Sequence, residues 1–300
     1  MTMISTNAFY DRTSLSLSGL RAQAERLQAA IGSGQRLGAG SDDPVAAARL
    51  RSLARAQSFS EIDTTAAARA ASDLTLTDFA LSAFAGTVIR VQELATQAAN
   101  GVLTQDQRAG IATELGQLHG ELVRLVNTRD SAGHALFGGE TAGQAYVLDA
   151  SGNPVYAGTA SAGEIALGDG QSVTRGVTGP EVLTFGGTDL FAVIKGLADA
   201  LNGAAADPAA AARGALGSLD TGLETITTAQ TVVGARLNWI DLTTERRTQL
   251  SEQHSSEQAD LGGTDIAETV TRLQQTMTVL EASQASFAKL ASLSLFDLLR

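Results

Sequence analysis

The 300 residues carry 44% apolar side chains, only 4% aromatics and a formal net charge of −11. That content builds a core for one large or two ordinary domains, and few aromatics with abundant Ala suit closely packed helices. Phosphate binding needs clustered Lys and Arg, yet lysine occurs only at 195 and 289, so nucleic acid and anionic membrane surfaces are excluded as partners.

The absence of cysteine rules out disulfides and thiolate chemistry. No apolar run approaches a membrane span, and residues 1–11 lack the basic-then-apolar order of a cleaved secretory signal.

Residues 1–6 are polar and unpatterned. From Tyr10 two interleaved series, Tyr10, Leu17, Ala24, Ile31 and Thr13, Leu20, Leu27, predict an amphipathic helix that Gly32-Ser33-Gly34 ends. A Gly-rich link runs to Gly40 and meets Ser41-Asp42-Asp43-Pro44. A phosphate loop would close on Gly-Lys-Ser/Thr, whereas two carboxylates would repel phosphate. Asp42 or Asp43 as N-cap with Pro44 at the first helical position accounts for the run.

A long helix follows from Val45 to about Ala99, interrupted only by Gly86. Its second half has a seam of Leu74, Leu81, Val88 and Ala95 against Thr77, Phe84, Val91 and Ala98. Asn100-Gly101 predicts a left-handed cap, and Thr104 to Gln107 a capping box. The next helix, with Ile111, Leu115, Leu118, Leu122 and Leu125, ends near Arg129 and should lie antiparallel to the first.

Between Phe137 and Phe185-Gly186-Gly187 the composition turns to Gly, Thr and Val. Ser151-Gly152-Asn153 and Gly168-Asp169-Gly170 each read as the turn of a hairpin. Helix resumes at Leu190 to about Leu201, and Asp207-Pro208 repeats the cap device of Asp43-Pro44. A third long seam contains Leu216, Leu219, Leu223, Ile226, Val233, Leu237 and Ile240, continues toward Gln258, and breaks at Gly262-Gly263.

The last stretch, 264–300, has neither Gly nor Pro. One series is Ile266, Leu273, Leu280, Phe287; the other is Val270, Met277, Ala291, Leu298, with Gln284 its polar member. Thr264 is the expected N-cap. About 37 residues give a rod of roughly 55 Å whose seam needs a partner, and the N-terminal helix is its natural mate.

The expected fold is mainly α with a small β-rich insert, long antiparallel helices and coiled-coil terminal helices. The parts are 1–40 (terminal helix and link), 41–136 (first helical part), 137–188 (β-rich outer domain), 189–261 (second helical part) and 262–300 (terminal helix).

His119, His134 and His254 lack ligand spacing, no Gly-x-Ser-x-Gly elbow occurs, and adjacent Asp42 and Asp43 point apart at a helix start. No constellation for catalysis, cofactor or metal emerges. The candidate functional residues are therefore an assembly face, Leu17, Leu20, Leu27, Ile31, Ile266, Val270, Leu273, Met277, Leu280 and Phe287, and a joint, Asp42, Asp43 and Pro44.

Met3-Ile4-Ser5-Thr6-Asn7 with its helix, Ser33-Gly34-Gln35-Arg36, and Ser41-Asp42-Asp43-Pro44-Val45-Ala46-Ala47 resemble the N-terminal region of the bacterial flagellin superfamily. Ser294-Leu295-Phe296-Asp297-Leu298-Leu299 resembles its other end. Three features are more similar to the hook–filament junction branch than to filament-forming members. They are Pro44, the run Asn127 to Asp130 with Ala135 to Gly139, and the Ser294-Leu295-Phe296 ending.

The resemblance implies a structural role in the flagellum and uncleaved export by the type III route. It implies terminal helices that order on assembly, and as partners further copies, a hook-associated protein on the hook side, flagellin on the filament side and an export chaperone. The alternatives left open by the sequence are a short filament-forming flagellin and a secreted surface- or carbohydrate-binding module.

Overall fold

A computed structural model describes residues 2–130 and 132–297, with side chains for 8–130 and 132–290. Its helices are α1 (Thr2–Ser33), α2 (Pro44–Ala98), α3 (Gln105–Val126), α4 (Gly179–Leu183), α5 (Leu190–Asp199), α6 (Pro208–Gly262) and α7 (Ile266–Asp297). Between α3 and α5 lie three two-stranded antiparallel hairpins: β1 (Tyr146–Leu148) with β2 (Pro154–Tyr156), β3 (Glu164–Gly168) with β4 (Gln171–Thr174), and β5 (Thr184–Phe185) with β6 (Thr188–Asp189). The chain is thus mainly α with a small β-rich insert, as the patterning predicts. Leu298 falls outside the described residues, as does the side chain of Ala291.

The chain forms two compact units, residues 59–248 and residues 1–58 with 249–300. In the first, α6 contributes Leu219, Ile226, Val233 and Ile240, one every seven residues and all buried. They share a core with Leu74, Leu81, Phe84 and Val88 of α2, Leu115 and Leu122 of α3, and Ile194 and Leu197 of α5. The β segment belongs to the same core: Phe137 packs on Phe84 with centroids 5.0 Å apart, and Tyr146 on Phe191 at 5.3 Å. A window of α2 reaches a mean hydropathy of 1.3, apolar and long enough to cross a membrane, contrary to the expectation above. The same helix supplies Leu81, Phe84, Val88 and Val91 to the core, a sufficient reason for its apolarity.

The predicted caps divide into those present and those replaced. Thr104 and Gln107 form a reciprocal capping box, and Asp207 Oδ1 accepts from Ala210 N at 3.0 Å. Neither Asn100 nor Gly101 has positive φ, so the left-handed cap is absent; Asn100 Oδ1 instead accepts from Val102 N. Asp265, not Thr264, caps α7, accepting from Glu268 N at 3.0 Å. The two expected hairpin turns occur, with φ of +87°, +53° and +73° at Gly168, Asp169 and Gly170. Gly186 and Gly187 both take positive φ and make a third, two-residue hairpin loop, where the sequence suggested only a boundary. Helix α1 begins at Thr2, earlier than its heptads predict.

Candidate assembly face and its joint

Within the unit of residues 1–58 and 249–300, α1 and α7 pack as an antiparallel pair. Tyr10 meets Phe287 at one end, with centroids 5.5 Å apart. At the other, Thr264 N donates to Gly34 O at 3.0 Å. On α1, Ala24 is buried, and Leu17, Leu20, Leu27 and Ile31 are half-buried along one stripe with Tyr10 and Thr13.

On α7 the shielded stripe is Thr269, Leu273, Thr276, Leu280, Ser283 and Phe287, flanked by half-buried Val270 and Gln284. Ile266 and Met277 lie outside it, 56% and 42% exposed. The reason lies in the threonines. Thr276 Oγ1 donates to Arg272 O at 2.8 Å and Thr269 Oγ1 pairs with Thr264 Oγ1 at 3.2 Å, so each satisfies its hydroxyl locally. What remains is a methyl group that packs like an apolar one.

The joint is built where the two Gly-rich links meet. Gln35 and Gly263 form an antiparallel bridge, and Arg36 N donates to Gly262 O at 2.8 Å. Gly34 takes φ +69°, which glycine adopts without penalty. At Gly263 a Cβ would stand 2.4 Å from the Ala259 carbonyl oxygen, so no larger residue fits that backbone.

The two aspartates have separate tasks. Asp42 Oδ2 accepts from the N–H groups of Gly38 (3.1 Å) and Ala39 (2.8 Å), folding the link into a turn. Asp43 Oδ1 accepts from Ala46 N at 3.0 Å and caps α2, with Pro44 as the first helical residue. The Ala46 N–H, assisted by Arg36, holds the Asp43 carboxyl below its ordinary range against a smaller opposing effect of burial.

Arg36 is the residue the sequence reading left without a task. Its guanidinium donates to Leu261 O at 2.9 Å and lies 3.5 Å from Asp43 Oδ2, tying the end of α6 to the start of α2. Its place in the Ser33-Gly34-Gln35-Arg36 motif was the available signal. Arg49 and Glu257 add a two-pronged pair at 2.5 and 2.7 Å, and Arg49 keeps the Glu257 carboxyl below its usual range. Beneath the bridge lies a cleft of about 460 Å³, lined by Leu37, Leu50, Ala54, Gln258 and the links.

The profile of the bacterial flagellin N-terminal helical region matches residues 4–142, which hold nearly all of α1, the first of the two links with Asp42 and Asp43, α2 and α3. The chain is also 26% identical to flagellar hook-associated protein 3 of Escherichia coli K12 over 98% of both chains. The N-terminal part of the chain is thus similar to the bacterial flagellin N-terminal region. Among solved structures, this flagellin-like chain is similar in fold to a Vibrio parahaemolyticus protein described as a flagellar hook-associated protein. The TM-score is 0.69 at 24% identity, covering 74% of this chain and 100% of that one. It is similar also to the flagellar junction protein FlgL of Legionella pneumophila, with TM-score 0.61 and 17% identity over 72% and 100%.

Proposed function

We propose that this flagellin-like chain is a structural junction piece of the bacterial flagellum, joining hook to filament and assembling through α1 and α7. The observation that carries the reading is the correspondence, over 98% of both chains, with a flagellar hook-associated protein 3. A second fact supports the assembling face. After α1 and α7 have packed on each other, Phe9, Leu15, Ile266, Met277 and Val279 remain 42–71% exposed. Apolar residues repeated along two paired helices mark a surface meant for further helices.

Further copies of the chain occupy that set, with Leu17, Leu20, Leu27, Ile31, Val270, Leu273, Leu280 and Phe287 forming the inner seam. Asp42, Asp43 and Pro44 fix where α2 leaves the joint. A hook-associated protein lies on the hook side and flagellin on the filament side. An export chaperone holds the chain before uncleaved export to the cell exterior. Residues 137–188 form the outer element of each copy. The role is structural, not enzymatic, and no step requires a cofactor.

Deleting the gene tests this. Cells should keep hooks, lose filaments and release flagellin into the medium, and the intact chain should restore filaments. Purified chain that polymerises alone into long fibres would show a filament former instead.

A further inference from the structure

Two buried carboxyl groups share one guanidinium where α2, the segment after α3 and the segment after β4 come together. Asp130 is well provided. Its Oδ2 accepts from Arg175 Nη2 at 2.6 Å, and its Oδ1 from the N–H groups of Ala132 (2.9 Å) and His134 (2.8 Å). Burial pushes its carboxyl up, but the two N–H donors and Arg175 outweigh burial and hold it below the usual range.

Asp73 has no such provision. It is 3% exposed, its Oδ1 is buried without a hydrogen-bond partner among the described residues, and its Oδ2 stands 3.8 Å from Arg175 Nε. That distance is too long for a hydrogen bond. A buried carboxylate without hydrogen bonds is far costlier than a buried carboxylic acid. The guanidinium of Arg175 is already engaged by Asp130, so it cannot fully neutralise both.

His134 Nδ1, 3.6 Å from Asp130 Oδ2, is likewise buried and unpartnered. Asp73, Thr77, Asp130, His134 and Arg175 all line one cavity of about 10 Å³. That is roughly the space one water molecule occupies, and the walls offer it polar partners.

We propose that this cavity is a binding site for one water molecule and one proton, the proton resting on Asp73 as a neutral carboxylic acid. The acid donates to the water. The water also reaches His134 Nδ1, so each orphaned atom gains a partner.

The surrounding charges agree with that assignment. Arg69 lies on α2 with Asp73, and Asp130 and His134 follow α3. Arg175 follows β4, and Arg236 of α6 is spent on the carbonyl of Gly176, another residue lining the cavity. Burial first and the Asp130 charge second raise the Asp73 carboxyl, while Arg175, Arg69 and His134 oppose them. A carboxyl raised in the folded chain stabilises fully below the unfolded value of 3.8 and loses that contribution as pH rises through the folded value. Asp130 has the opposite sign, losing its contribution only as pH falls.

The test is a carboxyl ¹³C titration of the full chain, with thermal unfolding of the parent, Asp73→Asn and Asp130→Asn across pH. The proposal expects Asp73 to remain protonated after exposed carboxyls have ionised. It expects Asp73→Asn to unfold at the same or a higher temperature, without the decline on raising pH. Asp130→Asn should unfold several degrees lower. Titration of Asp73 at or below 3.8, or an Asp73→Asn loss as large as that of Asp130→Asn, overturns it. If Asp73→Asn does not fold, the titration of the parent chain decides alone. A crystal structure should show a single water within hydrogen-bonding distance of Asp73 Oδ1 and His134 Nδ1; any other occupant overturns the water assignment.

Discussion

Tyr10 and Phe287 meet edge to face, with ring planes at 85° and centroids 5.5 Å apart. Tyr10 stands near the start of α1 and Phe287 near the end of α7, while Gly34 and Thr264 bond at the opposite end. The antiparallel pair is therefore pinned at both ends, by rings at one and by backbone at the other.

Removing one ring should loosen the distal pin alone. An edge-to-face pair contributes about 0.5–1.5 kcal/mol beyond the area it buries. Phe287→Ala should speed proteolysis within α1 and α7 while leaving the melting of residues 59–248 unchanged. Ends as resistant as those of the parent would show that the ring pair does not hold the helices.

The joint aspartates should separate folding from assembly. Asp42 shapes the turn and Asp43 caps α2, yet neither contributes to the core. Asp42→Ala with Asp43→Ala is expected to keep nearly normal helix content by circular dichroism and to lose motility and filament retention. Unchanged motility would make the pair a dispensable cap, and lost helix would make it a folding element.

Gly263 and Gly262 should respond differently to alanine. At Gly263 the new Cβ meets a backbone oxygen at 2.4 Å, whereas at Gly262 it meets the Leu50 side chain at 3.3 Å. A side chain can yield by tenths of an ångström; the backbone turn cannot without moving the link. Gly263→Ala should abolish filament attachment and Gly262→Ala should not. Equal effects would contradict the geometry.

His119 gives an acid limb to the stability profile. Its ring packs against Phe191 at 5.6 Å, and its Nε2 is buried without a partner among the described residues. Burial first, then the Lys195 charge, depress its pKa below 6.5, with Asp189 opposing. Depression favours the neutral imidazole in the fold. The contribution is therefore intact above 6.5 and lost as pH falls from there through the lower folded value. His119→Gln should flatten thermal stability between about pH 7 and 5. A persistent slope in that variant would assign the limb to another group.

The long helices, the first two hairpins and the meeting of the chain's two ends follow from heptads and glycines. The α7 seam does not, because counting apolar letters prefers Val270 and Met277 to Thr269 and Thr276. A threonine whose hydroxyl is satisfied locally can pack like an apolar residue. Exposed Thr271 and Thr278 bond their own helix as well, so only the folded geometry shows that Thr269 and Thr276 are the buried ones. The π-turn at Ala200–Ala204, closed by Gly203 at φ +105°, escapes for a related reason. Its backbone path is set by packing against α3 and α5, with no local signal but one glycine. Arg36 was visible as a letter in a motif, but its reach to Leu261 spans 225 residues of sequence.

The central claim is that the α1–α7 pair is what assembles. Leu280 is 7% exposed and Leu20 half-buried on the two facing stripes, and a fully buried Leu contributes about 1.5–3 kcal/mol. The most direct measurement is complementation of the deletion strain with Leu20→Asp or Leu280→Asp, reading filaments by electron microscopy and flagellin in the medium. The account predicts secreted chain with residues 59–248 folded, no filaments and flagellin shed. Normal filaments on hooks carrying either variant would contradict it.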